Sequence, residues 1–240
     1  MDERKLRIAL LEDDPDQAQL VQVWLEAAGH RCAHFLRGPE FVQHLKRDSY
    51  DLLILDWVVP ELSGIEVLRK IRQEQDCATP VIFVTQRDSE KDIVNGLQAG
   101  ADDYMTKPIR RLELLARVSA VVRRTQDGEW REQPVIELDP YRIDKINREI
   151  LLHDKPVELT QKEYELAVFL FQHVGQIVSR NHLLESVWGT SASINTRTVD
   201  THASRIRNKL QIVADNGWKL TSIYQHGYRL EPTVVPDGSC

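Results

Sequence analysis

The feature that most constrains the fold is an alternation in the first half of the chain, where short runs of β-type residues take turns with amphipathic stretches of helical spacing. The third of these runs, Leu52–Leu55, is apolar throughout, which is typical of a central strand buried on both faces. Strands and helices that alternate in this way predict a parallel sheet with helices on both faces, a doubly wound (flavodoxin-like) α/β domain with five strands. The predicted strands are Leu6–Leu11, Arg31–Phe35, Leu52–Leu55, Val81–Val84 and Asp103–Met105.

A region of different texture follows a polar break. Residues 125–133 are polar and lack periodicity, which is typical of a linker. This predicts a first domain over residues 1–124, an α+β domain over 134–232 and a tail over 233–240. The predicted strands of the second domain are Val135–Leu138, Arg142–Asp144, Glu149–Leu152, Val157–Leu159, Lys219–Tyr224 and Gly227–Leu230. Its predicted helices are Gln161–His173, Asn181–Val187 and Asn195–Val213.

Composition excludes several classes of protein. The net charge of -6 argues against a protein that coats nucleic acid by bulk electrostatics, so any contact with DNA has to come from a local basic face. No stretch approaches the roughly 18 apolar residues that a membrane helix needs. The three cysteines are widely spaced and form neither a metal-ligand pattern nor a disulfide framework, which suits a reducing compartment. We therefore expect a cytoplasmic protein with no membrane partner.

The carboxyl ends of the predicted parallel strands carry polar side chains of complementary chemistry. The first strand ends in Glu12 and Asp13, the third in Asp56 and the fourth in Thr85, and Lys107 follows the fifth. Ligands of open parallel sheets bind outside these strand ends. Adjacent carboxylates repel each other unless a hard cation lies between them, and Mg²⁺ is the natural choice. The hydroxyl and the ammonium would then hold a phosphoryl group, with Asp56 as the nucleophile that forms an acyl phosphate.

Four segments give the first domain a specific resemblance to a known family. They are LLEDDPD, LDWVVPELSGIEVL, VIFVT and GADDYMTKPI, and with them residues 5–124 resemble the receiver domains of two-component response regulators. The resemblance implies that Asp56 accepts the phosphoryl group, that Lys107 binds it, and that Thr85 and Tyr104 switch conformation together. It also implies a cis peptide bond between Lys107 and Pro108. The implied Mg²⁺ ligands are Glu12, Asp13, Asp56 and the backbone carbonyl of Val58.

Two positions depart from the pattern of these receivers. Gln86 stands where a small residue usually borders the phosphorylation site, so we expect slower entry or loss of the phosphoryl group. Ile93 stands where the fourth helix usually offers an arginine, so Glu113 loses its expected ion-pair partner, while Asp103 and Arg117 remain available to each other. An exposed Ile93 would instead add apolar area to the interface. We expect phosphorylation to drive a homodimer through these four interface residues.

The last predicted helix has an apolar side and a polar side. The residues expected to pack on the core are Val199, Ala203, Ile206, Leu210 and Val213. The residues on the opposite side are Thr198, Thr201, His202, Arg205 and Lys209. Such a helix suits the major groove of DNA, with Arg205 and Thr201 at base edges and Arg197, Arg207 and Lys209 at phosphates. From this pattern alone, a solvated surface helix remains the alternative.

Three further segments favour the DNA-binding interpretation. They are VELTQKEYELAVFLFQHVGQIVSRNHLLESVW, RTVDTHASRIRNKL and TSIYQHGYRL, and they resemble the winged-helix effector domain of the OmpR/PhoB subfamily. This implies a C-terminal hairpin wing at the minor groove, with Tyr224 and His226 as contacts, and a loop Gly189–Asn195 that meets RNA polymerase. Tyr224 and Gln225 replace the arginine and glycine that are common in this wing. We therefore expect modest affinity for a single domain and useful affinity only for a dimer on tandem half-sites of double-stranded DNA.

The predicted function is a DNA-binding transcription regulator whose Asp56 is phosphorylated by a sensor histidine kinase. The rival class is a phosphohydrolase or phosphotransferase that works through an aspartyl phosphate. Such enzymes typically need a second acid two residues after the nucleophile, where this chain has Val58, so we expect no enzyme. A third interpretation, a DNA binder that is independent of phosphorylation, keeps the fold and discards the switch.

Overall fold

The computed structural model describes residues 5–75, 77–125, 133–189 and 195–233. The chain divides into two compact units, residues 1–125 and 126–240, which fold around separate cores. Within the described residues, no helix combines the length and the apolar character that crossing a membrane requires.

The first unit is a five-stranded parallel sheet in the order β2-β1-β3-β4-β5. The strands are β1 (Arg7–Leu11), β2 (Arg31–Phe35), β3 (Leu52–Leu55), β4 (Val81–Thr85) and β5 (Asp103–Thr106). The helices are α1 (Pro15–Ala27), α2 (Gly38–Leu45), α3 (Gly64–Glu74), α4 (Glu90–Gln98) and α5 (Arg111–Thr125).

Alternate residues of the central strand pack into two different cores. Leu53 and Leu55 belong to the core that α2 and α3 cover, whereas Leu52 and Ile54 belong to the core that α1 and α5 cover. All four side chains are buried, because a parallel strand with helices on both faces has no wet side. The predicted doubly wound α/β fold is confirmed.

Local sequence determines where α1 and α3 begin. Asp14 caps α1, where its carboxylate accepts hydrogen bonds from the amides of Asp16 and Gln17, and Pro15 occupies the first turn. At Gly64, the start of α3, a Cβ atom would lie 2.1 Å from the carbonyl oxygen of Asp56, so only glycine permits this close approach. The chain therefore leaves β1 and β3 abruptly, and the residues after these strands stay at the sheet edge.

The described residues of the second unit form an α+β domain, as predicted, with two antiparallel sheets and three α-helices. One sheet has the order β6-β7-β8-β9 and the other has the order β10-β12-β11. The strands are β6 (Val135–Leu138), β7 (Tyr141–Asp144), β8 (Glu149–Leu152), β9 (Lys155–Pro156), β10 (Val178–Ser179), β11 (Trp218–Ile223) and β12 (Gly227–Pro232). The helices are α6 (Gln161–Phe171), α7 (Arg180–Trp188) and α8 (Arg197–Lys209).

The predicted strand Val157–Leu159 is wrong, because β9 lies two residues earlier. His153 and Asp154 both have positive φ angles, 49° and 59°, which is typical of a two-residue hairpin turn. This turn pairs Leu152 directly with Lys155, so the strand begins at once. Neither turn residue is glycine or asparagine, so sequence pattern does not indicate a tight turn here.

The predicted end of the last helix is also wrong, because α8 stops at Lys209 and Val213 is 46% exposed. Gln211 adopts a left-handed conformation with a φ of 48°. The amide of Ile212 then donates to the carbonyl of Arg207 at 2.9 Å, which is the usual way to close a helix C-terminus. Ile212 is buried and takes the core position that the periodicity assigned to Val213.

Candidate functional site

Three carboxylates converge at the carboxyl edge of the parallel sheet. Glu12 and Asp13 follow β1 and Asp56 follows β3, and these strands are neighbours in the sheet. Each of the three offers an oxygen, and these oxygens all lie within 4.8 Å of one another. Glu12 and Asp56 are buried whereas Asp13 is exposed. Their mutual repulsion calls for a cation in the same place.

Lys107 supplies part of that positive charge. Its ammonium lies 2.6 Å from Asp56 Oδ2 and 2.8 Å from Glu12 Oε2. The other oxygen of Asp56 accepts a hydrogen bond of 3.0 Å from the amide of Val58. The peptide bond between Lys107 and Pro108 is cis, as the resemblance implied.

Burial and charge act in opposite directions on the groups of this cluster. Burial raises the pKa of the Glu12 carboxyl, and the neighbouring Lys107 offsets only part of that effect. Burial also opposes the charge on Lys107, but its hydrogen bonds to Asp56 and Glu12 outweigh this and raise the pKa of the ammonium. When all three carboxylates are ionised, one ammonium leaves a surplus of two negative charges. The cluster is therefore suited to a divalent cation with oxygen ligands.

The carboxylates lie in a solvent-accessible pocket whose walls include two glutamines. Gln17 donates a hydrogen bond of 3.3 Å to Glu12 Oε2, and Gln86 follows Thr85 at the end of β4. Gln86 lines the same pocket as Asp56 and Lys107. The lining residues are Glu12, Asp13, Asp14, Gln17, Asp56, Val58, Gln86 and Lys107.

The predicted switch residues meet at a loop residue that sequence reasoning missed, Arg87. Its amide donates to the hydroxyl of the fully buried Thr85 at 3.4 Å, and its carbonyl accepts a 2.8 Å hydrogen bond from the Tyr104 hydroxyl. Its guanidinium lies over the ring of Trp57, 5.3 Å from the ring centroid, and pairs with Asp92 of α4 at 3.1 Å. An exposed arginine in a loop has no periodic or motif signal that singles it out.

Tyr104 is already buried between neighbouring aromatic rings. Its ring lies 6.0 Å from that of Phe83 and 6.5 Å from that of Trp57, centroid to centroid. Burial raises the pKa of its hydroxyl to about 12, so this group is protonated and able to donate at neutral pH. The hydroxyl and the ring together connect β5 with the loop that follows β4.

The four residues predicted at the dimer interface occupy different environments. Ile93 was expected to be exposed, but it is half-buried. Its side chain packs against the core that contains Leu53 and Leu55. Within the chain, Arg117 lies 2.9 Å from Glu113 and 3.0 Å from Asp103, so Glu113 has an ion-pair partner other than the one that Ile93 replaces. The exposed apolar residues on α4 and α5 are Val94, Leu97 and Leu112.

The solvent side of α8 carries fewer of the predicted DNA contacts than the sequence pattern indicated. Arg197, Thr201 and Arg205 are exposed, whereas Thr198 is half-buried. His202 is also half-buried, because its ring packs against Trp188 of α7 at 5.0 Å. The solvent-exposed side of α8 is therefore narrower than the row of polar residues that the sequence predicts for it.

Two cations predicted at phosphates are engaged within the domain instead. The guanidinium of Arg207 donates to the carbonyl of Leu220 at 2.9 Å. The ammonium of Lys209 lies 2.8 Å from the buried carboxylate of Glu163 and 3.1 Å from the carbonyl of Glu158. A buried carboxylate keeps its cation, so the contact with Glu163 argues against the predicted phosphate role of Lys209. The predicted phosphate contact of Arg207 stays a prediction.

The predicted wing is the hairpin of β11 and β12. Tyr224 lies at its tip with 84% of its surface exposed. His226 is half-buried and its Nδ1 lies 3.0 Å from the Tyr224 carbonyl. Arg229 is paired with Glu231 at 2.9 Å and does not belong to the tip. In the predicted polymerase loop Gly189–Asn195, residues 190–194 lie outside the described residues.

A network behind the wing was also missed by sequence reasoning. The carboxylate of Asp200, in the first turn of α8, accepts hydrogen bonds from Arg180 at 2.8 Å and from the Tyr228 hydroxyl at 2.6 Å. Arg180 also donates to Ser222 of β11 at 3.1 Å. The network ties α7, α8 and both strands of the hairpin together.

Comparison with known proteins matches each of the two units to a protein family. The family described as response regulator receiver domain matches residues 8–119, and the family described as transcriptional regulatory protein, C terminal, matches residues 154–230. The uncharacterized transcriptional regulatory protein YclJ of Bacillus subtilis is 35% identical, with 94% of this chain and 99% of the relative covered. The phosphate regulon transcriptional regulatory protein PhoB of Pseudomonas aeruginosa is 35% identical, over 92% of this chain and 96% of that protein.

A crystal structure of the response regulator DrrB, a Thermotoga maritima OmpR/PhoB homologue, is also similar. It shares 29% identity, with 95% of this chain and 100% of that chain covered and a TM-score of 0.46. Both family matches and both full-length relatives point the same way. The chain belongs to the response regulators of the OmpR/PhoB type, which are phosphorylation-dependent, DNA-binding transcription regulators of two-component systems.

Proposed function

We propose that Asp56 is the phosphoacceptor of this regulator and that a sensor histidine kinase is its phosphodonor. The observation that carries the proposal is the contact of Lys107 with both Asp56 and Glu12 in a pocket open to solvent. Buried carboxylates and a buried ammonium at three strand ends are costly to maintain, and an incoming phosphoryl group gives the arrangement a use.

The donor set supports Mg²⁺ as the cofactor. Glu12, Asp13 and Asp56 would hold the ion, and the carbonyl of Val58 is a further candidate because Val58 lines the same pocket. When bound, Mg²⁺ supplies positive charge that offsets the negative charge of the phosphoryl oxygens. Asp13 is exposed and can exchange water for the ion, whereas Glu12 and Asp56 are held by Lys107.

Phosphoryl transfer uses the carboxylate of Asp56 as the nucleophile. One of its oxygens attacks the phosphorus atom, and the bond from phosphorus to the donor's leaving group breaks with its electron pair. The ammonium of Lys107 stays beside the acceptor and binds a phosphoryl oxygen. The hydroxyl of Thr85 binds another, which it reaches by giving up its present hydrogen bond from Arg87.

Phosphorylation then favours one conformation of the surface formed by α4, β5 and α5. Thr85 and Tyr104 both contact Arg87, so a shift of Thr85 is passed to Tyr104 on β5. This conformation favours a homodimer. Phosphorylation increases its population because the phosphoryl group interacts more favourably with this conformation than with the other. Asp103, Glu113 and Arg117 supply charge to this face, and Ile93 supports it from beneath.

The dimer binds tandem half-sites of double-stranded DNA and acts on RNA polymerase. α8 enters the major groove with Arg197, Thr201 and Arg205, and Thr198 and His202 lie at the edge of the contact. Two domains that bind one DNA molecule gain effective local concentration. Binding to DNA takes place in the cytoplasm, and the protein has no enzymatic turnover, because Val58 stands where a phosphohydrolase would need its second acid.

Intact-protein mass measured after incubation with acetyl phosphate and Mg²⁺ tests the proposal. We expect one added phosphoryl group on the wild type and none on Asp56→Asn, which changes one carboxylate to an amide of the same shape. Chelation of Mg²⁺ before the donor is added should prevent the reaction. Phosphorylation of the variant to the same extent, or of neither protein with any of several donors, would refute Asp56 as the acceptor.

A further inference from the structure

Glu12, the buried residue that follows β1, is anchored through its main chain to the neighbouring strand β2. Its amide donates a hydrogen bond of 3.1 Å to the carbonyl of Phe35. Its carbonyl accepts one of 2.7 Å from Nε2 of His34, and this nitrogen carries the proton because a carbonyl oxygen can only accept. The backbone of Glu12 is therefore fixed, and the direction of its carboxylate depends on the donors that reach the side chain.

Among the described residues, two side chains donate hydrogen bonds to that carboxylate. Nζ of Lys107 lies 3.0 Å from Oε1 and 2.8 Å from Oε2 of Glu12, and 2.6 Å from Oδ2 of Asp56. Nε2 of Gln17 donates to Oε2 of Glu12 at 3.3 Å. An ammonium has three protons, so Lys107 has to give up one of its contacts when it binds a phosphoryl oxygen. The hydrogen bond from Gln17 does not depend on the phosphoryl group and can hold Glu12 before and after transfer.

The start of α1 fixes the position of Gln17 beside the pocket. Asp14 caps this helix and accepts a hydrogen bond of 3.2 Å from the amide of Gln17. The side chain of Gln17 is half-buried and lines the pocket together with the three carboxylates. It reaches Glu12 without bringing a charge, so the negative surplus that attracts a divalent cation is preserved. A lysine or an arginine at this position would reduce that surplus.

We propose that Gln17 is a positioning residue of the Mg²⁺ site, which holds the carboxylate of Glu12 in the direction of the ion. The inference rests on the proposed binding of Mg²⁺ by Glu12, Asp13 and Asp56. Groups that form hydrogen bonds to metal ligands fix the orientation of these ligands, and their loss typically lowers metal affinity by about 10- to 100-fold. The hydrogen bond from Gln17 is long and its side chain is half-buried, so we expect an effect near the lower end of this range.

Calorimetric titration of Mg²⁺ into the full unphosphorylated chain tests the inference. Gln17→Met keeps the length of the side chain and removes the donor, so the Mg²⁺ affinity should fall about tenfold. Gln22→Met is the matched control, because Gln22 donates to Glu26 at 2.8 Å in an exposed hydrogen bond on the same helix. This control should leave the Mg²⁺ affinity unchanged. Thermal melting in metal-free buffer should show that both variants are folded.

The rate of phosphorylation by acetyl phosphate separates positioning of Glu12 from a general distortion of the pocket. In Gln17→Met, the Mg²⁺ concentration that gives half of the maximal rate should rise by the same factor as the dissociation constant of Mg²⁺. The rate at saturating Mg²⁺ should match that of the wild type, because the occupied site has the same nucleophile and the same ammonium. A substitution that distorted the pocket would lower this rate as well.

Three results would overturn the inference. These are wild-type Mg²⁺ affinity in Gln17→Met, an equal loss of affinity in Gln22→Met, and a lower rate of phosphorylation of Gln17→Met at saturating Mg²⁺. If the wild type binds Mg²⁺ and is phosphorylated while Gln17→Met binds Mg²⁺ as tightly, the inference alone fails. If the wild type binds no Mg²⁺, or is phosphorylated equally well after chelation of Mg²⁺, the proposed cofactor fails and the inference fails with it.

Discussion

The two units use their charged residues in opposite ways. In the first unit, the cation of Lys107 and the carboxylates of Glu12 and Asp56 meet inside a pocket, with 10%, 3% and 6% of their side chains exposed. In the second unit, the ammonium of Lys209 on α8 pairs with the buried carboxylate of Glu163. The carboxyl ends of neighbouring parallel strands lie at the same edge of the sheet, so the residues that follow them lie close together. A long side chain on a helix surface has several groups within reach and can pair with any of them. Charge therefore marks the functional site in the first unit and stabilises the fold in the second.

Removal of the ammonium of Lys107 should have the largest effect on stability. Lys107→Met leaves Glu12 and Asp56 buried beside each other without a cation, so in metal-free buffer the free energy of unfolding of the first unit should fall by about 3 kcal/mol. Mg²⁺ should restore more stability to the variant than it adds to the wild type, because the variant has the larger negative surplus. Urea unfolding with and without Mg²⁺ measures both effects.

Lys70→Met is the matched control for this prediction. Lys70 pairs with Glu74 on the surface of α3, where both side chains are well exposed, so its loss should change stability by at most about 0.5 kcal/mol. Equal effects of the two substitutions would mean that the charges of the pocket are not coupled as described.

Removal of the ammonium of Lys209 should have a smaller effect on stability and none on the salt dependence of DNA binding. Lys209→Met should lower the free energy of unfolding of the second unit by about 1 kcal/mol, because Lys209 is partly exposed and solvent screens the pair. Arg205→Ala is the converse control, with unchanged unfolding and weaker DNA binding. If Lys209→Met weakens DNA binding at unchanged stability, Lys209 is a phosphate contact after all.

The same pair has a pH dependence of defined sign. Burial alone would raise the pKa of Glu163, but hydrogen bonds from Lys209 and Thr160 outweigh it and lower the pKa below its ordinary value of 4.5. A depressed folded-state pKa stabilises the fold above the unfolded value and ceases to do so as pH falls through the folded value. The second unit of Lys209→Met should therefore lose less stability than the wild type when the pH is lowered below 4.5. An equal loss in both proteins would contradict the ion pair.

The smallest effect is expected at Arg87. Its guanidinium is partly exposed and contacts Trp57 and Asp92, whereas Thr85 and Tyr104 contact its backbone. Arg87→Leu should therefore lower the free energy of unfolding of the first unit by about 0.5 kcal/mol and leave phosphorylation of Asp56 unchanged. A loss as large as that of Lys107→Met would show that the side chain, not the backbone, holds this loop.

The sequence predicted the fold and the acidic site well because both depend on short-range pattern. Five alternating runs located each parallel strand to within a residue or so, and the polar residues at the strand ends had to converge once the sheet formed. The errors have another origin. The turn at His153 and the helix end at Gln211 use left-handed residues other than glycine, and the partner of Lys209 lies 46 positions away in the sequence. Such choices are made by tertiary packing, which periodicity does not report.

The central claim is that phosphorylation of Asp56 controls DNA binding, and affinity measured before and after phosphorylation tests it most directly. The probe is the duplex selected by the phosphorylated full chain, and the proteins are the wild type and Asp56→Asn, each with and without acetyl phosphate and Mg²⁺. We predict that the donor strengthens binding by the wild type about tenfold or more and leaves binding by the variant at the weak level. Equal occupancy by both proteins in the presence of the donor would contradict the account and indicate a DNA binder that is independent of phosphorylation.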